Sequence, residues 1–408
     1  MLKYATDISK IKVRVNADNA YDIEEARKLS INNVGLCRSE HMFFEKHKLR
    51  TLQKAILIDN AILQQYYLED LFKIQKQDFI EIFKASKGDK VNIRLLDPPM
   101  HEFLPSKSST DNLINQLNEE EILNLISNNK LPNNDVIEIV KDIVLDHING
   151  NVPKKYIIDN DFKLIDSNLD INKYIKFFNK TKSQIENKIS DLNESNPMLG
   201  YRGARLGLIE QNIYNTQIKA LKAAVLDVFE SDNIKQHLEI MVPFICFENE
   251  IKSITNIIRD HFKDVNIKQE VCNFKVGAMI ELPRACFIAD KIAHHVDFLS
   301  FGTNDLTQTM LGISRDDSAK FLDQYQKNNI ILNNPFLSID EDSVGLVMKI
   351  AIKKARSVKQ DISIGVCGEH GGDYSSIQFC KKIGVDYVSC SKTKLITAII
   401  ASAQIENN

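Results

Sequence analysis

Eight short apolar runs, rich in β-branched residues, recur along this chain, and each gives way to a polar or glycine-bearing turn and then a helical pattern. They are IKVRVNAD from Ile11, NVGLCRSE from Asn33, VNIRLLD from Val91 and LEIMVPF from Leu238. The series continues with KVGAMIELP from Lys275, DFLSFGTND from Asp297, ISIGVCGE from Ile362 and VDYVSCS from Val385. Strands this continuously hydrophobic must be covered on both faces, which a parallel sheet wrapped by helices provides. Eight such units predict an α/β fold, a (β/α)8 TIM-type barrel, whose working residues stand at the C-terminal ends of the strands.

The spacing is uneven in one place. Between Asp97 and Glu239 the pattern is polar and helical, with no run that reads as a strand. We therefore expect a helical excursion after the third strand, at about 106–170, built from short amphipathic helices joined by Asn/Pro turns, with a capping box at Ser109 or Thr110. The 408 residues are 43% hydrophobic, enough to bury one large core, so residues 1–408 are expected as a single domain. A net charge of -3 gives no basic surface for nucleic acid or anionic membranes. No run approaches the roughly 18 apolar residues of a membrane span, and the N-terminus lacks the apolar centre of a signal peptide. Seven cysteines without a CxxC pair read as reduced thiols, hence a cytoplasmic setting.

The charged residues near the strand ends carry the chemistry. Arg38 follows GLC, Arg94 lies in NIRLLDPP, and Arg202 and Arg205 lie in a glycine-rich turn, NPMLGYRGARLG. A guanidinium fork suits phosphate and carboxylate, and three converging forks would hold a phosphoryl dianion. The plainer alternative pairs each arginine with a local acid at the rim. Glu281 in AMIELPRA and Asp305 in SFGTNDLTQ end adjacent strands, which suits a Mg²⁺ that keeps waters and binds substrate oxygens. Either carboxylate could instead cap the next helix. Asn304, beside Asp305, can orient a substrate phosphate. Arg315 is either a further phosphate contact or the partner of Asp316 or Asp317. Among the cysteines, Cys367 lies in SIGVCGEHGGD, where glycines let the backbone approach a ligand, and Cys390 in VSCS is its rival. Cys246, Cys272, Cys286 and Cys380 read as core thiols. None of the nine histidines has the setting of a phosphate carrier, and no glycine-rich nucleotide cradle appears.

These segments, in this order, resemble the C-terminal barrel of the pyruvate, phosphate dikinase family. The likeness runs from KIKVRVNAD through GLCRSEHMFF, IRLLDPPMHEFLP, NPMLGYRGARLG, GAMIELPRA, SFGTNDLTQTMLGISRDD and CGEHGGDYSSIQFC to DYVSCS. Phosphoenolpyruvate synthase and enzyme I of the sugar phosphotransferase system share such a barrel, but DPPMHEFLP and CGEHGGD resemble the dikinase wording. The resemblance implies that Arg38, Arg94 and Arg202 hold the phosphoryl group of phosphoenolpyruvate (PEP). It implies that Glu281 and Asp305 ligate Mg²⁺, that Asn304 contacts substrate, and that Cys367 exchanges a proton with the enolate carbon, which a cysteine with a pKa near working pH can do.

Family members carry an ATP-binding domain and a phosphohistidine domain ahead of this barrel. Neither precedes the first strand here, so the resemblance implies a separate polypeptide that supplies the phosphohistidine. It also implies a homodimer. After VSCS the sequence departs from the family's Pro- and Arg-bearing stretch and reads SKTKLITAIIASAQ, which leaves the last barrel helix to be tested. The leading expectation is a phosphotransferase half-reaction between PEP and pyruvate. A PEP-binding module without turnover and an oligomerisation scaffold are the alternatives.

Overall fold

The computed structural model describes residues 2–105, 135–148, 151–153, 171–263 and 270–407. Its centre is a closed barrel of eight parallel strands in sequence order. They are β1 (Lys12–Asn16), β2 (Val34–Arg38), β3 (Lys90–Arg94), β4 (Gln236–Val242), β5 (Cys272–Ile280), β6 (Phe298–Phe301), β7 (Ser363–Val366) and β8 (Tyr387–Ser391). Each expected apolar run overlaps one of them, although β3, β4 and β5 begin one, two and three residues before their runs. Closure comes from β1 pairing with β8, in register from Lys12↔Tyr387 to Asn16↔Ser391. The strands are buried almost throughout, as a sheet covered by helices requires.

The chain divides into two compact units, Met1–Met42 with Gln75–Asp97 and Gly203–Asn408, and Phe43–Ile74 with Pro98–Arg202. The first contains all eight strands. Its interior is filled by side chains from facing strands, among them Leu36, Met241, Met279, Phe298 and Cys367. Glycines in register make room for the large ones. Gly277 pairs with Phe298 and Gly365 with Tyr387, and a Cβ on either glycine would stand 2.3 Å or less from its partner's ring. After β8 the chain forms the Leu395–Asn407 helix, with Leu395, Ala398 and Ile399 buried.

The second unit is helical. Its described elements include Lys46–Leu57, Met100–Phe103, Asp135–Ile148 and Ile171–Asp191. Among the described residues no strand lies between β3 and β4, as the spacing predicts. Of the expected excursion, Asp135–Ile148 is a helix, whereas Ser109 and Thr110 lie outside the described residues. No helix of the described residues is long and apolar enough to cross a membrane.

Candidate active site

The C-terminal strand ends gather most of the residues singled out above. Arg38 ends β2 and Arg94 ends β3. Glu281 follows β5, Asn304 and Asp305 lie in the first turn of the Thr303–Leu311 helix after β6, and Cys367 follows β7.

Arg94 is buried between two carboxylates. Its Nη2 donates to Glu40 Oε1, and its Nη1 lies 3.3 Å from Asp97 Oδ2. The local-acid alternative thus describes contacts this arginine does make. With five donors, one guanidinium can keep such partners and still face a ligand. The main chain behind it is pinned by buried polar groups. Ser39 Oγ donates to Arg94 O at 2.7 Å and accepts from Gln217 Nε2 at 2.8 Å. Gln217 Oε1 accepts from Leu96 N at 2.8 Å, and Tyr214 Oη donates to Leu96 O at 2.8 Å.

Arg38 is half-buried and its N–H donates to Asp18 Oδ1 at 2.7 Å. Burial alone would raise the Asp18 carboxyl, but hydrogen bonds from His41 and the Arg38 main chain hold it below the usual carboxylate range.

Glu281 is fully buried, and its Oε1 accepts the Phe244 N–H at 2.6 Å. Phe244 has φ of 58°, a left-handed conformation that bulky residues rarely take. The turn after β4 is bent so that this N–H meets a carboxylate, and strain of this kind clusters at functional sites. Opposite Glu281 stands Gly302, where a Cβ would come within 2.6 Å of Oε2. Only glycine leaves this carboxylate its space. Asn304 Oδ1 accepts the Glu369 N–H at 3.2 Å, which ties the loop after β6 to the loop after β7. Asp305 Oδ1 accepts from Gln308 Nε2 at 3.1 Å. Glu281 and Asp305 offer hard oxygens from adjacent strand ends, which fits Mg²⁺. Among the described residues no group of three or more His, Cys, Asp and Glu side chains is gathered as a metal cage. A metal here would draw the rest of its shell from water and substrate.

Cys367 is buried, with its Sγ 3.6 Å from Phe301 O. Burial pushes the thiol up to about 11, the Ser300 hydroxyl pulls it down, Glu281 raises it, and Arg94 and Arg38 lower it. Desolvation thus outweighs the arginines and raises the thiol above the working-pH range expected for it. Cys390, its rival, is pushed up to about 12 by burial, and the charges acting on it are Lys394 and Glu369. Cys272, Cys286 and Cys380 are buried, whereas Cys246 is only half-buried, beside Arg205 and Arg284.

Ser300 and Tyr387 escaped the reading of the sequence. Ser300 Oγ makes no hydrogen bond of ordinary geometry, yet its hydroxyl favours the charged forms of both Cys367 and Tyr387, which places it near the two. The register explains how. Ser300 pairs with Gly365 and Gly365 with Tyr387, so the tyrosine ring lies across the bare glycine toward the serine. A lone serine inside the apolar run DFLSFG was the available signal. Beside the site, His370 is buried with Nε2 donating to Pro335 O at 2.9 Å, which leaves Nδ1 to accept from Thr303 Oγ1 at 2.8 Å.

Two further expected residues are not at strand ends. Arg202 ends the second unit, where its N–H donates to Gly200 O at 3.2 Å and its Nη1 to Met198 O at 3.3 Å. Arg315 is exposed beyond the helix C-cap Gly312, with its N–H donating to Gln308 Oε1 at 2.7 Å. It pairs with neither expected acid, and Asp317 is held by Lys320 at 3.0 Å. Within the second unit, a cavity of about 770 Å³ is lined by Lys46, Arg50, Lys54, Glu138 and Asp142 among others. Its charges are drawn into ion pairs, such as Arg50 with Glu138 at 2.7 Å and Lys54 with Asp146 at 2.8 Å.

Residues 1–407 match the family described as PEP-utilising enzyme, PEP-binding domain. Pyruvate, phosphate dikinase of Rickettsia bellii (strain RML369-C) is 36% identical over 405 residues, covering 99% of this chain and 39% of that protein. The protein of the same name from Clostridium symbiosum is 35% identical over 409 residues, covering 100% of this chain and 40% of that protein. That of Giardia intestinalis is 38% identical over 398 residues, covering 96% and 38%. The chain therefore spans about two fifths of the length of these relatives. It belongs to the PEP-utilising enzyme family and carries that family's PEP-binding domain.

Proposed function

We propose that this chain performs the PEP–pyruvate half-reaction of a dikinase-type phosphotransferase, exchanging the phosphoryl group with a histidine on a separate polypeptide. The observation that supports the reading is that Arg38, Arg94, Glu281 and the buried Cys367 all stand at the C-terminal ends of the barrel strands. Such a rim supports an acid acting together with cations for a phosphoryl group and a carboxylate for Mg²⁺.

In the reaction, the bond between the enol oxygen and phosphorus of PEP breaks as a bond from phosphorus to the histidine nitrogen forms. Arg38 and Arg94 neutralise the phosphoryl oxygens, and Asn304 orients them. Glu281 and Asp305 are the residues that would hold Mg²⁺, which would supply positive charge to the substrate oxygens when bound. The Cys367 S–H then gives its proton to the methylene carbon of the enolate, which yields the pyruvate methyl group, and the thiolate recovers a proton from water. A carbon acid as weak as pyruvate is matched by a weak acid such as this raised thiol.

The test is exchange of pyruvate methyl protons with deuterated water by the purified chain, with and without Mg²⁺. It needs no phosphohistidine. Metal-dependent exchange is expected, slowed by about 10²–10⁴ in Cys367→Ala, the usual range for a positioned acid or base. Undiminished exchange in that variant would remove Cys367 from the reaction. Binding of PEP without any exchange in the wild-type chain would replace this reading with a module that binds and does not turn over.

A further inference from the structure

The first apolar run ends in Asn16, Ala17 and Asp18, and none of the three has a part in the chemistry above. Yet the two polar ones are bonded to residues that do. Asn16, the last residue of β1, donates from Nδ2 to Cys367 O at 3.2 Å. Its Oδ1 accepts from Ser389 Oγ at 2.6 Å. A backbone carbonyl only accepts, so the amide has one usable orientation, with its nitrogen toward Cys367. Since β1 adjoins β8 and β8 adjoins β7, Asn16 reaches past one strand to hold the end of the next. On the other side, Asp18 Oδ1 accepts the Arg38 N–H at 2.7 Å, and its Oδ2 lies 2.8 Å from His41 Nδ1. One short stretch after β1 thus anchors the main chain of β7 at the thiol and of β2 at an arginine.

We infer that Asn16 and Asp18 are positioning residues of the PEP–pyruvate site, Asn16 for the Cys367 thiol and Asp18 for the Arg38 guanidinium. The inference rests on the functional reading above. Its physical basis is the steep dependence of proton transfer and phosphate binding on placement, where a shift of about 1 Å can cost on the order of 10²-fold in rate. A hydrogen bond to the main chain of the acting residue fixes where its side chain starts.

The full 408-residue chain serves for the test. Asn16→Asp keeps the shape but turns a carboxylate toward the Cys367 carbonyl, and Asn16→Ala removes the bond. Either change is expected to slow methyl-proton exchange at saturating pyruvate by about 10- to 100-fold. The half-saturating pyruvate concentration should stay at the wild-type value, and the variants, though less stable for the lost hydrogen bonds, should be folded at the assay temperature. Ser389→Ala, which frees the amide to turn, should slow exchange less, again without loss of affinity, and it decides the matter if the Asn16 variants do not fold. Asp18→Asn is expected to weaken PEP by about tenfold or more, the worth of a hydrogen bond to a charged group, and to weaken pyruvate less. Wild-type exchange rates in the folded Asn16 variants, or a fall in step with pyruvate affinity, would overturn the role of Asn16. Equal losses of PEP and pyruvate in Asp18→Asn would overturn that of Asp18. Absence of exchange in the wild-type chain would sink the functional reading and this inference with it. Exchange that Cys367→Ala abolishes and the Asn16 changes leave intact would sink the inference alone.

Discussion

Arg94 is 8% exposed and lies between Glu40 and Asp97, so its charge is compensated before any ligand arrives. Removing a buried ion's partner leaves the others uncompensated, at a cost of about 3–5 kcal/mol. Arg94→Ala should therefore lower unfolding stability by that amount in denaturant titrations, besides any effect on ligands. Arg94→Lys is the more informative change. It keeps the charge and loses the planar fork, so binding of PEP should weaken more than binding of pyruvate, which has no phosphate. Equal losses for the two ligands would make Arg94 a structural residue. The arginine and one partner, Asp97, were visible in NIRLLDPP, but Glu40 was not visible as the other, because it is on a different strand end and 54 positions away.

At the scale of elements, the barrel interior depends on which residues fall in register. Tyr387 fits only because Gly365, its partner in β7, has no side chain, and a Cβ there would stand 2.1 Å from the ring. Gly365→Ala should overpack this layer and destabilise the chain by about 1–3 kcal/mol, measured by thermal unfolding. In a Tyr387→Leu background the same change should cost less, a non-additivity that reports the contact itself. If both backgrounds lose equally, the ring is not what the new methyl meets. The eight runs disclosed the strands. Their shared interior stayed hidden, since a glycine in ISIGVCGE and a tyrosine in VDYVSCS reveal their pairing only once the sheet closes.

Across the whole molecule, buried thiols couple stability to alkaline pH. Burial pushes Cys367 up to about 11 and Cys272, Cys286, Cys380 and Cys390 up to about 12. Their folded pKa values are raised above the ordinary 9.0, so the folded state holds protons that the unfolded chain releases. The stabilising contribution is complete below about pH 9 and is lost as pH rises toward 11–12. Thermal midpoints should be flat with respect to these groups from pH 7 to about 8.5 and fall above about 9. A midpoint still level at pH 10.5 would mean that these thiols ionise without unfolding. Local sequence was sufficient for the strand count, the barrel class and the strand-end position of most of the residues singled out, because hydrophobic period and turn residues are written in neighbouring positions. Tertiary structure alone decided that the Cys367 thiol is held protonated, that Phe244 turns its N–H onto Glu281, and that Asn16 and Asp18 hold Cys367 and Arg38. Each of these follows from desolvation or from a bond across the barrel, and residues that meet only on closure of β1 against β8 have no local signature.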